Sequence, residues 1–155
     1  MKPIVYMMLG LPGSGKTTYS KQLQRNLKIL RLSIDEEYSK LGGSLSDSSW
    51  DENLATEAGQ MIKKKTAVQV SSNRSVILDL CPWKKDKREE YREYIESLDA
   101  LCHIFYFEVE KTELLRRLKI RNSSGEDSYI ISPEMLNDFL NEFDIPSKSE
   151  VKKII

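Results

Sequence analysis

Short runs of large apolar residues alternate along the chain with longer polar stretches that carry apolar residues at helical spacing. The apolar runs have the length of strands and lie at 3–9, 28–34, 75–80 and 102–109. The helical stretches lie at 16–27, 51–70, 84–98, 111–122 and 132–143. Nearly continuous apolar strands that alternate with helices are typical of a parallel sheet covered on both faces. The pattern therefore predicts an α/β architecture.

Local signals mark the start of the last helix and the position of one loop. Ser132 is followed by Pro133 and Glu134, which predicts an N-cap, a first helical residue and an acidic first turn. Glycine and serine dominate residues 42–50, and this composition predicts a loop.

Size and composition predict one domain over 1–155 without a strongly charged surface. The chain has 155 residues, of which 39% are hydrophobic, and this suffices for one core. Its 24 basic and 24 acidic residues give a net charge of +0, so nothing global favours a nucleic-acid or membrane partner. Cys81 and Cys102 lack a metal-ligand spacing, and no signal peptide or long apolar span is visible. We therefore expect a cytoplasmic protein with reduced thiols.

The stretch from Gly10 to Thr17, GLPGSGKT, matches the phosphate-binding pattern G-x-x-x-x-G-K-[ST]. It stands between the first predicted strand and the first predicted helix, where that pattern functions. Glycines let backbone N–H groups turn towards an anion, and the helix N-terminus adds further donors. Lys16 is placed to reach the β and γ phosphates, and the Thr17 hydroxyl to bind Mg²⁺. The residues expected to contact the nucleotide are Gly10, Pro12, Gly13, Ser14, Gly15, Lys16, Thr17 and Thr18.

Two carboxylates follow later strands, whose carboxyl ends face the ligand crevice in open α/β sheets. Asp35 ends the predicted second strand and suits a base that accepts the proton of an attacking hydroxyl, or a holder of metal-bound water. The alternative is that Asp35 caps the following helix. Asp79 lies late in the third strand and resembles an aspartate that binds Mg²⁺ through water. Its alternative role is to cap a loop or to bond Trp83.

An arginine-rich helix precedes a polar segment with a glycine, 122–125, which we expect not to be packed. Arg117 and Arg121 lie one turn apart and share a face of this helix. Arginines at the edge of a mobile flap can close over ATP and meet the charge of the transferred phosphoryl group. A lid over about 116–131 is therefore predicted. The alternative is a surface helix whose arginines pair with Glu113.

Taken together, these motifs resemble a known family. The segments GLPGSGKTT, LSID, LDLCPWKKDKREEYR, FYFEVEKTELLRRLKIRN and FDIPSKSE are similar to those of small AAA-domain P-loop kinases related to polynucleotide 5′-kinase and zeta toxin. The resemblance implies a P-loop three-layer sandwich with sheet order 2-3-1-4-5, and ATP and Mg²⁺ as ligands. It also implies that Asp35 is the catalytic base and that Arg117 and Arg121 belong to the lid. FDIPSKSE would lie near the adenine and lead into a fifth strand.

The motifs and the resemblance predict an ATP-dependent kinase that transfers the γ-phosphoryl group to a hydroxyl of a small molecule or nucleotide. The alternative is a nucleotide-binding switch or slow ATPase that acts through a protein partner. A GTPase is less favoured, because the chain has no Asn-Lys-x-Asp segment, which a resemblance to GTPases would require. The motifs do not name the acceptor.

Other residues bear on the acceptor only indirectly. The neutral charge and the lack of interleaved basic and aromatic residues disfavour an extended nucleic-acid groove. Trp50 and Trp83 are interpreted as packing residues rather than as platforms for an acceptor ring. The alternating charges over 84–92 are interpreted as a solvated helix face rather than as an acceptor pocket. His103 is assigned no chemistry.

Overall fold

A computed structural model of the chain describes residues 1–45, 50–125 and 130–155. Within these residues, the strands are β1 Ile4–Leu9, β2 Leu30–Ser33, β3 Val76–Asp79, β4 Leu101–Tyr106 and β5 Val151–Ile154. The helices are α1 Lys16–Leu27, α2 Ile34–Lys40, α3 Glu52–Ser71, α4 Lys85–Ser97, α5 Lys111–Ser123 and α6 Pro133–Glu142. The strands form one parallel sheet in the order β2-β3-β1-β4-β5, which confirms the predicted α/β architecture and strand order.

Side chains that alternate along β1 fill cores on the two faces of the sheet. Val5 packs on one face in a cluster with Ile62 of α3 and Ile95 of α4, and all three are fully buried. Met8 packs on the other face, in a cluster that the partly buried Leu23 of α1 completes. Helices therefore cover both faces, which makes the three layers that the resemblance implied.

The second strand ends earlier than predicted. β2 stops at Ser33, and Asp35 lies in the first turn of α2 rather than at the strand end. The N-cap of α2 is Ser33, so the interpretation of Asp35 as the N-cap is wrong. Asp35, Glu36 and Glu37 fill the first turn, where carboxylates interact favourably with the positive end of the helix dipole. Because Ser33 pairs with Asp79 in register, Asp35 still stands at the carboxyl edge of the sheet.

The segment after the arginine-rich helix is partly ordered by packing. Asn122 and Ser123 belong to α5, and the Asn122 side-chain amide donates to the carbonyl of Ile131 at 2.8 Å. The Ile131 N–H donates back to Asn122 Oδ1 at 3.3 Å. The expectation that 122–125 is unpacked is therefore wrong at Asn122. Residues 126–129 of the predicted lid and 46–49 of the predicted loop lie outside the described residues.

The charged helix α4 is not solvated on all of its predicted face. Arg88 is 1% exposed, and its Nε donates to Glu150 Oε1 at 3.2 Å. Its Nη1 donates to the carbonyl of Trp83 at 3.0 Å. The interpretation of 84–92 as a solvated face is therefore wrong at Arg88, whose guanidinium ties the loop after β3 to the segment before β5.

The last part of the chain follows the prediction closely. Ser132 is the N-cap of α6 and its side chain accepts a hydrogen bond from the N–H of Met135 at 3.2 Å, with Pro133 as the first helical residue. The implied fifth strand is β5, which pairs with β4. Cys81 and Cys102 are both free thiols that form no disulfide bond. None of the described helices has both the length and the apolar character that a membrane crossing needs.

Glu37 fastens α2 to α3 through a buried carboxylate. The two oxygens of this carboxylate accept hydrogen bonds from Lys65 Nζ at 2.8 and 2.7 Å, and Oε1 accepts another from Lys40 Nζ at 3.0 Å. Burial raises the pKa of Glu37, but the hydrogen bonds from Lys65 and Lys40 outweigh burial and hold this pKa below its usual 4.5. Since Lys65 belongs to α3, the contact fixes the helix that carries Asp35.

We expect Glu37→Gln to lower the free energy of unfolding by about 1–2 kcal/mol near neutral pH, because charged hydrogen bonds to lysine are lost. The folded pKa of Glu37 lies below the unfolded one. Its contribution is therefore present above the unfolded pKa and is lost as the pH falls through the folded pKa. Urea unfolding of both proteins at neutral and acidic pH measures the difference, with the exposed Glu57→Gln as the control. A difference that does not narrow in acid would contradict this role.

Candidate active site

The glycine-rich turn between β1 and α1 has the backbone geometry of a phosphate-binding loop. Gly13 and Gly15 have φ angles of 84° and 92°, in the left-handed region that side chains disfavour. A Cβ on Gly10 would lie 2.6 Å from Ser14 Oγ and 3.0 Å from Phe107 Cβ. The turn therefore needs glycine for its conformation at two positions and for space at the third.

This loop leaves donors open for an anion. Gly15 is the N-cap of α1 and provides no side-chain cap, so the N–H groups of the first turn have no partner within the helix. The first turn carries no acidic residue and begins with Lys16. Among the described residues, the buried hydroxyl of Ser14 also lacks a hydrogen-bond partner. A bound polyphosphate would accept hydrogen bonds from these N–H groups and from the Ser14 hydroxyl, and its charge would be balanced by Lys16.

A cleft of about 2030 Å³ opens in front of the loop at the carboxyl edge of the sheet. Residues of α1, α2, α5, α6 and the loop between β3 and α4 form its walls. The predicted site residues on these walls are Pro12, Gly13, Ser14, Gly15, Lys16, Thr17, Thr18, Asp35, Asp79, Arg117 and Arg121. Gly10 lies behind the loop, where it makes room for Phe107.

Asp35 lines the cleft opposite the phosphate-binding loop. Its side chain is exposed to the cleft, and desolvation by the protein atoms around it raises the pKa of Asp35 above its usual 3.8. The positive charge of Lys16 opposes the rise, the negative charge of Asp79 adds to it, and Arg121 and Arg31 oppose it. No hydrogen bond from a described residue contributes to this pKa. The carboxylate is therefore available to a ligand.

Arg117 and Arg121 both line the cleft, and the helix that carries them is packed on the phosphate-binding loop. The Leu118 side chain is buried, and a Cβ on Gly13 would lie 3.1 Å from it. Arg117 donates from Nε to Glu113 Oε1 at 2.7 Å and from Nη1 to the carbonyl of Gly13 at 3.4 Å. Leu118 belongs to a core cluster, so the part of the predicted lid next to it is held against the phosphate-binding loop.

The ion pairing that the alternative interpretation predicted is present near the start of α5. Arg116 donates from Nε and Nη2 to the two oxygens of Glu113 at 2.7 and 2.8 Å. The hydrogen bonds from Arg116 and Arg117 lower the pKa of Glu113 to about 2. Arg116 is turned to solvent, with 62% of its side chain exposed, whereas Arg117 also reaches the loop. The two neighbouring arginines therefore have different surroundings.

Asp79 has partners that the sequence analysis did not include. Its Oδ2 accepts hydrogen bonds from Arg31 Nη2 at 2.7 Å, Arg31 Nε at 3.2 Å and Ser20 Oγ at 3.0 Å. Arg31 also donates from Nη1 to Glu36 Oε1 at 2.7 Å. Arg31 was missed as a site residue. The signal that could have revealed it is an arginine inside an apolar, strand-length run, because a buried cation needs a partner.

The two tryptophans stand at the cleft walls and pack on other aromatic rings. Trp50 is stacked on Tyr38, with ring centroids 4.2 Å apart and an angle of 12° between the planes. Trp83 lies 4.8 Å from Phe139, measured between ring centroids. This ring packing agrees with the predicted packing role. Both tryptophans also present aromatic surface to the cleft.

Comparison with known proteins identifies the family. Residues 5–146 match the AAA domain family, and the chain belongs to it. A curated relative is the adenylate kinase of Thermosipho africanus (strain TCF52B), which is 26% identical over 124 residues, or 74% of this chain. The chain spans 58% of the length of that relative.

Solved structures share the fold. A chain of the Pnkp1/Rnl/Hen1 RNA repair complex has a TM-score of 0.79 at 18% identity, over 91% of this chain and 44% of that chain. A gluconokinase from Sinorhizobium meliloti 1021 has a TM-score of 0.65 at 16% identity, over 99% of this chain and 80% of that chain. The family match and this shared fold confirm the predicted resemblance to small AAA-domain P-loop kinases.

We expect Lys16→Ala to weaken ATP binding by about tenfold or more, because a charged contact to phosphate is lost. The fold should be unaffected, since Lys16 lines the cleft and lies outside the apolar core. Titration calorimetry measures the affinity, and thermal unfolding checks the fold. Arg25→Ala, an exposed basic residue at the other end of α1, is the matched control. Equal ATP affinity in all three proteins would refute the assignment of Lys16.

Proposed function

We propose that the protein is an ATP-dependent phosphotransferase that moves the γ-phosphoryl group of ATP to a hydroxyl of a small molecule or nucleotide. The position of Asp35 carries this proposal, because its carboxylate lines the same cleft as Lys16 and is available to a ligand. A hydroxyl must lose its proton during transfer, whereas an ionised phosphate acceptor needs no base. Asp35 therefore favours a hydroxyl over the phosphate acceptor that the name of the adenylate kinase relative indicates.

The residues of the cleft have separate roles in the proposed reaction. The phosphates of ATP lie on the N–H groups of the loop and beside Lys16. As the acceptor oxygen attacks the γ-phosphorus, Asp35 accepts its proton and the bond to the β–γ bridging oxygen breaks, so that ADP leaves. Arg117 and Arg121 stabilise the negative charge of the transferred group. Desolvation raises the pKa of Asp35, which makes its carboxylate a stronger base.

Thr17 fits the role of the protein ligand to Mg²⁺. It lies in the first turn of α1 on the cleft wall, directly after the lysine of the loop. Over residues 1–45, 50–125 and 130–155, no group of three histidine, cysteine or acidic side chains could hold a metal ion by itself. Mg²⁺ commonly keeps several waters and binds through few protein groups plus substrate phosphates. When bound with ATP, it neutralises charge on the β and γ phosphates.

The acceptor is expected on the Asp35 side of the cleft. Leu45, Trp50, Trp83 and Tyr91 contribute to the cleft walls, and such apolar and aromatic surface suits a small molecule. A nucleotide-binding switch remains the alternative function, but it would give the Asp35 carboxylate no proton to accept. ATP consumption with and without a panel of hydroxyl compounds, followed by mass analysis of the products, would identify the acceptor.

We expect Asp35→Asn to lower the rate of phosphoryl transfer by about 10²- to 10⁴-fold, the usual scale of a general base. ATP affinity should be retained, because the amide preserves the size of the side chain. The rates are compared at saturating ATP with the acceptor found in the screen. Asp51→Asn is the matched control, since Asp51 caps α3 and asparagine caps about as well.

The same substitution separates the kinase from the switch. A switch activates no acceptor hydroxyl, so its ATP affinity and slow hydrolysis would be nearly unchanged in Asp35→Asn. Rates like those of the wild type in this variant would remove the general-base role and the main support for a kinase.

We expect Arg121→Ala to lower kcat by about 10²-fold or more, because a cation that meets the transferred phosphoryl group is lost. Arg116→Ala is the matched control, since Arg116 lies on the same helix and is turned to solvent. Steady-state kinetics measures both variants. Amide exchange should also show protection of 119–125 and 130–131 when ATP is added. Equal kcat losses in the two variants would contradict a specific role of Arg121.

A further inference from the structure

We propose that Asp79 binds Arg31 instead of contributing to a Mg²⁺ site. In this arrangement the buried guanidinium of Arg31 is bound to the Asp79 carboxylate at the end of β3. Thr17 and the phosphates of the nucleotide would then hold the metal without Asp79. The inference rests on the nucleotide site of the proposed function. The experiment below distinguishes its failure from failure of that function.

The contacts of Asp79 occupy one of its two carboxylate oxygens. Its Oδ2 accepts from Arg31 Nη2 at 2.7 Å, Arg31 Nε at 3.2 Å and Ser20 Oγ at 3.0 Å. An ionised carboxylate has about two lone-pair sites on each oxygen, so the two N–H groups of Arg31 fill Oδ2 and leave only Oδ1 for another ligand. The Arg31 and Asp79 side chains are only 5% and 2% exposed. Both residues line the cleft, but little of either side chain is therefore open to a hydrated Mg²⁺.

The charge of Arg31 is permanent in this setting. Burial lowers the pKa of Arg31, but the hydrogen bonds to Glu36 and Asp79 outweigh burial and raise this pKa above its usual value. A fixed guanidinium neutralises Asp79 and repels a second cation at short range. Breaking the contact would also leave a buried charge without its partner, which is strongly unfavourable. Mg²⁺ therefore cannot easily displace Arg31 from Asp79.

The Arg31 network instead aligns parts of the proposed active site. The single hydroxyl proton of Ser20 can go either to Asp79 or to the carbonyl of Thr17, which lies 2.9 Å from Oγ, and Oγ accepts from Arg31 Nε at 2.9 Å. On the other side, Arg31 holds Glu36, the neighbour of Asp35 in α2. Arg31 is thus a positioning residue that joins the start of α1, the end of β3 and the start of α2.

Binding of Mn²⁺, with and without ADP, tests this assignment. Mn²⁺ replaces Mg²⁺ and is counted by the electron paramagnetic resonance of the free ion. We expect the wild type to bind Mn²⁺ with ADP but not Mn²⁺ alone. Arg31→Met should gain binding of Mn²⁺ alone, because the Asp79 carboxylate becomes free. A purely structural role of Arg31 would not produce this gain.

A double variant keeps the test decisive if Arg31→Met fails to fold. Arg31→Met with Asp79→Asn leaves no buried charge unpaired and keeps the hydrogen bond from Ser20 to the Thr17 carbonyl, so it should bind Mn²⁺ with ADP within about threefold of the wild type. Thr17→Ala is the comparison that should weaken this binding by about tenfold or more. A tenfold loss in the double variant, or binding of Mn²⁺ alone by the wild type that Asp79→Asn removes, would overturn the inference. Absence of ADP binding by the wild type would overturn the proposed function instead.

Discussion

The parallel pairing of β1 with its two neighbours is the constraint on which the site depends. β1 pairs with β4 over all six of its residues and with β3 over Val5, Tyr6 and Met7. Parallel strands bring their carboxyl ends to one edge of the sheet, so the phosphate-binding loop, Asp35 and Asp79 meet there although they are distant in the sequence. The buried centre of β1 makes this arrangement rigid, because one face is covered by α3 and α4 and the other by α1.

Ion pairs with buried members hold the walls of the cleft in place around this rigid centre. Arg31 joins β2 to β3, Glu37 joins α2 to α3, and Arg88 joins the loop after β3 to the segment before β5. Such pairs add little net stability, because desolvation offsets most of their attraction, but losing one partner is costly. We interpret them as groups that specify the positions of the cleft walls. The position of Asp35 depends most on these pairs, because Arg31 and Glu37 both hold α2, the helix that carries Asp35.

The arginine-rich helix is anchored on both sides of Arg121. Leu114 and Leu118 are buried in a cluster beside the phosphate-binding loop, so the start of α5 belongs to the core. Asn122 ties the end of the helix to the backbone of Ile131. Arg121 lies between these anchors.

The sequence by itself determined the features that arise from neighbouring residues: the phosphate-binding loop, the alternation of strands and helices, and the cap at Ser132. Strand order followed from the family resemblance, and the structure agrees with it. Only the tertiary structure placed Asp35 in a helical turn and gave Asp79 and Arg88 their partners. The physical reason is distance along the chain. A glycine conformation or an N-cap is decided within a few residues, whereas Arg31 meets Asp79 across 48 residues and Arg88 meets Glu150 across 62, so no local spacing reveals either contact.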